Sequence, residues 1–280
     1  MNEAQSFIFE DHGIRGGIVR LRETWLQTIA QHNYGEEIRG LLGEAVAATV
    51  LLGASLKGQP KISIQMQSDG ALRLLVVQCS GDLRVRAMAQ RDDERTAGAL
   101  LAEGRLSVHI DTGRENGYLQ GIVPLTSSRI SECLESYFMQ SEQLPTQLIL
   151  FSDAQQACGL ILQMLPGAQS LEEFQTVCDI AATTRHSELA TAGSAELLRQ
   201  LFSEYDIRLF APREVAHDCR CTPEHLAGIT RMLGRDELES ILIERGTVEL
   251  TCEFCNRAFE YSPEQIVAIL RGETPEASLH

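Results

Sequence analysis

Hydrophobic and polar positions divide the chain into three stretches of different texture. From about Ile14 to Leu165 the text switches between a period of two and a period near 3.6. Lys61–Gln67 alternates apolar and polar residues and runs into Ser68-Asp69-Gly70, a turn signal, before the apolar run Leu72–Gln78. Ser80-Gly81-Asp82 repeats the punctuation ahead of Leu83–Met88, so the pattern predicts successive hairpins of an antiparallel sheet. Helical periodicity predicts helices over Glu36–Leu56, Asp92–Ala102 and Arg129–Phe138. Strands grouped with helices, rather than strictly alternating with them, define an α+β class.

Leu165-Pro166-Gly167 closes this core domain, residues 1–167. Residues 168–214 read as a helical linker whose order is conditional. Ser170 with Glu173 has the form of a capping box, and Leu171, Phe174, Val177 and Cys178 fall on one stripe. Ala181–Ala195 is poor in large apolar residues, after which Ser194 is placed to cap a helix carrying Leu197, Leu198, Leu201 and Phe202. Helices this short need a neighbour to lean on. If the linker lets go of that neighbour, Leu171, Phe174, Leu197, Leu198 and Phe202 are the residues it would uncover. Ordinary linker packing accounts for the same five positions equally well.

Residues 215–280 form a compact module. Thr222-Pro223 is an N-cap followed by proline at the first helical position, and Gly234 is a terminator. Asp236 with Glu239 is expected to cap a second helix ending at Gly246. Thr247–Thr251 and Ala258–Tyr261 flank Cys252-Glu-Phe-Cys255 as hairpin arms, and Ser262-Pro263 with Gln265 starts a last helix. No internal repeat is present in the sequence.

Composition narrows the function. The net charge is −15, and Cys219–His280 carries six arginines against eleven acidic residues, a net −5. A module gripping nucleic acid through phosphates would carry the opposite sign. The N-terminus has no basic, signal-like segment, and the longest apolar run is interrupted by Arg39, Glu44 and three glycines, so neither export nor a membrane partner is expected. A cytosolic chain keeps its eight cysteines largely reduced. Cys79, Cys133, Cys158 and Cys178 stand singly among apolar neighbours and read as small buried hydrophobes.

The other four cysteines are paired. Cys219-Arg-Cys221 is followed by thirty residues and then by Cys252-Glu-Phe-Cys255. A Cys-x-x-Cys on a hairpin tip puts two sulfurs at adjacent corners of a tetrahedron, the arrangement zinc takes, one ion per chain. The Cys-x-Cys pair precedes a helix start, whose N–H dipoles favour thiolate. The module has few large apolar residues, so a metal staple is physically needed. Four thiolates already fill a tetrahedral site, which leaves His217 and His225 outside it. Should an oxidant turn each pair into its own local disulfide, the metal would leave and the thirty-residue loop would open, since such short disulfide loops constrain the unfolded chain little. No Ser/His/Asp constellation or glycine-rich phosphate loop stands out, and no enzymatic activity is expected. Two other readings remain: a thiol oxidoreductase built on Cys252 and Cys255, and a permanently structural zinc module on an interaction scaffold.

The sequence resembles the heat shock protein 33 family of redox-regulated holdase chaperones over nearly its whole length. The stretches that carry the resemblance are Tyr118–Leu125, Tyr137–Thr146, Gly159–Pro166, Tyr205–Phe210 and the two cysteine pairs. His217 and Asp218 ahead of the first cysteine depart from many members, without touching a ligand position. The resemblance implies a cytoplasmic, ATP-independent chaperone of the stress response, inactive while reduced and zinc-bound. It further implies that oxidation forms the disulfides Cys219–Cys221 and Cys252–Cys255, releases zinc, unfolds the C-terminal region and gives a homodimer that holds unfolding client proteins.

Overall fold

The computed structural model describes residues 1–92, 100–114, 117–167, 170–219, 221–274 and 278–279. Its contacts divide the chain into two compact units, Met1–Ile29 with Asn33–His217, and Ala30–His32 with Asp218–His280.

The first unit is built on two largely antiparallel sheets around one long helix. Strands β1 (Asn2–Phe9) and β2 (Ile14–Leu21) form a hairpin whose turn uses the positive φ of Asp11 and Gly13. Phe7 lies across Gly16, and any Cβ at residue 16 would overlap its ring, so glycine there lets a fully buried phenylalanine lie flat on the partner strand. After α1 (Glu23–Ile29), α2 (Glu36–Ser55) runs for twenty residues. Strands β3 (Lys61–Ser68), β4 (Leu72–Cys79) and β5 (Arg84–Arg91) follow as the alternation predicted, then β6 (Gly104–Asp111) and β7 (Tyr118–Pro124). The predicted helix over Asp92–Ala102 falls on 93–99, outside the described residues. Helix α3 (Ile130–Tyr137) continues into a π-turn over Phe138–Glu142. Strands β8 (Thr146–Ser152) and β9 (Ala157–Met164) then form a hairpin.

Helix α2 is apolar on nearly every side because it packs against both sheets. Gly43 faces Ser152, whose hydroxyl a Cβ would overlap, which brings the helix close to β8. It is long and apolar enough to cross a membrane, but 72% of its apolar window is buried inside the protein, as a core helix requires. Its one acidic residue of note is Glu44, beside Arg129. Burial pushes the Glu44 carboxyl up to about 7, against the pull of Arg129. The folded state therefore keeps this proton over a range where the unfolded chain has lost it, and stability falls as pH rises from about 4.5 to about 7. Glu44→Gln should remove that loss, stabilising the protein by ~1–3 kcal/mol at pH 8 and little at pH 4.5. Denaturant unfolding at the two pH values checks it; an equal effect at both contradicts it.

Beyond β9 come three helices, α4 (Leu171–Ala182), α5 (His186–Thr191) and α6 (Ser194–Leu201). They cover the outer side of the sheet ordered β10-β1-β2-β9-β8, where β10 is Ile207–Leu209. Phe174, Val177, Leu189, Leu197, Leu198 and Phe202 pack there against Phe9, Ile18, Cys158 and Leu160. Phe202 meets Phe9 edge to face at 5.0 Å. The linker is thus ordered by tertiary burial, as short helices must be. Three local expectations need correction. Leu171 is 62% exposed and does not share the buried stripe of Phe174, because it sits in the first turn on the solvent side. Ser170 caps α4 by accepting from the Glu173 N–H at 3.0 Å, but the Glu173 carboxylate pairs with His12 at 2.6 Å. Ser194 is the first residue of α6 rather than its cap, and its hydroxyl accepts from Arg20.

The chain then adds β11 (Arg213–Glu214) to the edge of the first sheet and β12 (Ala216–His217) in parallel to β5 of the second, ordered β12-β5-β4-β3-β6-β7. The second unit follows. It contains α7 (Pro223–Leu233), α8 (Arg235–Arg245), the hairpin β13 (Val248–Thr251) and β14 (Ala258–Tyr261), α9 (Pro263–Leu270) and β15 (Ser278–Leu279) on β14. Thr222 caps α7, Gly234 and Gly246 take positive φ at the ends of α7 and α8, and Ser262 with Gln265 makes a reciprocal capping box on α9. Asp236 and Glu239 do not cap α8: the helix starts directly after Gly234, so both lie inside it.

Candidate metal centre

Two local structures present the four paired cysteines. Cys221 directly precedes Thr222, the N-cap of α7, which fixes its place at the helix start. Cys252 and Cys255 occupy the turn between β13 and β14. There the Cys252 N–H donates to the Arg257 carbonyl at 2.9 Å and the Asn256 N–H to the Cys252 carbonyl at 2.7 Å. Asn256 closes the turn with φ of 54°, a left-handed conformation asparagine tolerates well.

The four sulfurs converge. All lie within 4.8 Å of one another, and no other group of three or more Cys, His, Asp or Glu among the described residues has this geometry. The Cys219 and Cys252 sulfurs are 3.5 Å apart and the Cys221 and Cys255 sulfurs 3.3 Å. A tetrahedron of thiolates about 2.3 Å from a central ion has edges of roughly 3.8 Å, so the set has the size a metal needs. Cys221 and Cys255 are buried and Cys219 and Cys252 half-buried. They are part of, or pack against, the small core of Leu226, Leu238, Val248, Phe259, Tyr261 and Ile266. The four cysteines are positioned to hold a metal ion.

The electrostatics explain why an ion belongs there. Burial, then hydrogen bonding among the thiols, raises Cys219 well above the ordinary thiol range, and burial pushes Cys221 up to about 11. Burial acts the same way on Cys255, but hydrogen bonds from the Arg257 backbone N–H and the other three cysteines outweigh it and lower that thiol. Four thiolates cannot share this space without a cation. The Arg257 guanidinium supplies part of that charge and holds its proton more tightly for the nearby Cys221 and Cys255. Arg257 and Asn256 were not singled out from the sequence; a cation two residues after a Cys-x-x-Cys was the available signal.

The chain matches the family model described as Hsp33 protein over residues 2–262. It belongs to the Hsp33 family. Among relatives, the 33 kDa chaperonin of Nitrosococcus oceani is 40% identical over 259 residues, covering 91% of this chain and 89% of that protein. The 33 kDa chaperonin of Shewanella sediminis is 35% identical over 276 residues, 96% of each chain. The crystal structure of the 33 kDa chaperonin from Thermotoga maritima superposes with a TM-score of 0.83 over 97% of this chain and 99% of that one. At 23% identity that likeness establishes the fold. Hsp33 proteins are chaperones, and binding of client proteins comes with the family.

The remaining residues singled out from this Hsp33 sequence are not members of the cluster. His217 Nδ1 lies 3.2 Å from the Thr28 hydroxyl. His225 is exposed on α7, its backbone N–H donating to Thr222. Cys79, Cys133, Cys158 and Cys178 are each buried and unpaired, and burial pushes Cys79, Cys158 and Cys178 up to about 12, which keeps them protonated and inert. The Cys252–Cys255 motif sits in a β-turn and not at a helix start, unlike a thioredoxin-type motif.

Proposed function

We propose that this Hsp33-family protein is a redox-regulated, ATP-independent holdase rather than an enzyme. Zinc is the metal, held one per chain by Cys219, Cys221, Cys252 and Cys255 in the reduced, inactive form. Four thiolates and no oxygen ligand suit zinc, a borderline-soft ion without redox chemistry that accepts a closed tetrahedron. Oxidation pairs Cys219 with Cys221 and Cys252 with Cys255, expels the ion and opens the module. The linker then releases, and Phe174, Leu197, Leu198 and Phe202 are uncovered to join the already exposed Leu171 in binding unfolding client proteins. The oxidised chain works as a homodimer in the cytoplasm, a compartment that keeps the eight thiols free until an oxidant arrives.

The observation that supports this reading best is the way the cluster is shared. Two chain segments thirty residues apart give two sulfurs each, and the close sulfur contacts at 3.3 and 3.5 Å run between segments. An ion at their centre therefore joins the segments. A disulfide within either segment withdraws two of four ligands and restores no link across the loop, so the staple is lost.

Peptide mapping after peroxide treatment, with released zinc titrated on the same sample, tests the pairing. The expected result is one zinc released per chain with Cys219–Cys221 and Cys252–Cys255 as the dominant disulfides. Crosswise pairs, Cys219–Cys252 and Cys221–Cys255, would lock the module shut and overturn the reading.

A further inference from the structure

Strand β2 ends in Ile18, Val19, Arg20 and Leu21, and all four are buried. Arg20 is only 3% exposed, a rare setting for a guanidinium, which is costly to bury unless its N–H groups are met. Its side-chain hydrogen-bond partners lie on the linker. Nε donates to the Leu189 carbonyl at 2.7 Å and Nη1 to the Ser194 hydroxyl at 2.8 Å. The Glu3 carboxylate stands 3.7 Å from Nη1, and Nη2 has no hydrogen-bond partner among the described residues.

The two acceptors occupy special places. Leu189 is in six-residue α5, where its carbonyl is among the last four that no intrahelical N–H reaches. Ser194 opens α6, and the break at Ala192 and Gly193 separates the two helices. One guanidinium on the sheet thus grips both sides of a break between helices too short to persist alone. Without it, a carbonyl and a hydroxyl in a dry layer lose their donors, and both are satisfied most readily by letting water in.

We propose that Arg20 is the clasp that holds α5 and α6 on the core sheet, a positioning residue that sets how readily the linker lifts. This rests on the reading above that the linker is the part released on activation. The layer between linker and sheet contains its own reporters. Cys158 and Cys178 lie there at 1% and 3% exposure, whereas Cys79 and Cys133 lie in the other core, around α2. Lifting the linker exposes the first two thiols and leaves the second two covered.

The test is pulse alkylation of the reduced, zinc-loaded full-length protein with N-ethylmaleimide, read cysteine by cysteine by mass spectrometry. In Arg20→Met, Cys158 and Cys178 should react about tenfold faster or more than in the unaltered chain, with Cys79 and Cys133 unchanged and zinc retained. Ser194→Ala, which removes the hydroxyl that Nη1 meets and leaves it only the more distant Glu3 carboxylate, should show a smaller increase at the same two thiols. Arg20→Lys, able to reach one acceptor but not both, should fall between Arg20→Met and the unaltered chain. Unchanged protection of Cys158 and Cys178 in Arg20→Met and Ser194→Ala overturns the proposal. If Arg20→Met exposes all four thiols, Ser194→Ala decides: selective labelling upholds the clasp and none refutes it. Selective labelling without any gain in holdase activity upholds the clasp and counts instead against release of the linker as the source of client binding.

Discussion

Replacing Cys252 by serine should strip tight metal binding from the full-length protein and unfold its second unit while the first stays folded. The unit is small, and its apolar core is little more than Leu226, Leu238, Val248, Phe259, Tyr261, Ile266 and Ile269 around two buried cysteines. So few side chains do not hold about sixty residues in place unaided. A thiolate site supplies ~10–16 kcal/mol of apparent folding free energy in small zinc modules, and a serine hydroxyl is a poor substitute for one of its ligands. The affinity for zinc should fall by on the order of a thousandfold or more. In hydrogen exchange α7, α8, α9 and the β13–β14 hairpin should lose protection, and α2 and β9 should keep theirs. Wild-type zinc affinity in Cys252→Ser would contradict a four-thiolate site.

Much of the second unit was legible in the sequence because punctuation marks its elements. Thr222-Pro223, Gly246 and Ser262-Pro263 each act through local backbone chemistry, and the structure puts the ends of α7, α8 and α9 there. The cysteine spacing likewise pointed to a cluster before any geometry was available. It did not tell which sulfurs are neighbours, nor that the Arg257 N–H would reach Cys255, since both depend on the turn that Asn256 closes. Strands β3 to β5 were readable from alternation, whereas β11 and β12, two residues each, are too short to have a period. Sheet order was out of reach for a similar reason. Strand β9 enters between β2 and β8, and β3 lies between β4 and β6, pairings set by long-range packing around α2. The linker shows the limit most clearly. Ser194 looked like a cap, but its hydroxyl is taken by Arg20, 174 residues earlier in the chain.

Oxidation should turn the zinc-loaded chain from a bystander into a strong suppressor of aggregation. In the structure Phe174, Leu197, Leu198 and Phe202 are at most 5% exposed, so while the linker stays packed they are covered. Fully uncovering side chains of this size exposes apolar surface worth roughly 1.5–3 kcal/mol each, enough to hold an unfolded segment when several act together. The zinc cluster is the proposed control, because its loss removes the staple of the module that follows the linker. Light scattering of a heat-denatured client, followed beside zinc release from the same peroxide-treated sample, measures this directly. Aggregation should be suppressed only once about one zinc per chain has left, and reduction with zinc should restore the inactive state. Equal suppression by the reduced, zinc-loaded protein, or zinc release with no gain in suppression, would contradict it.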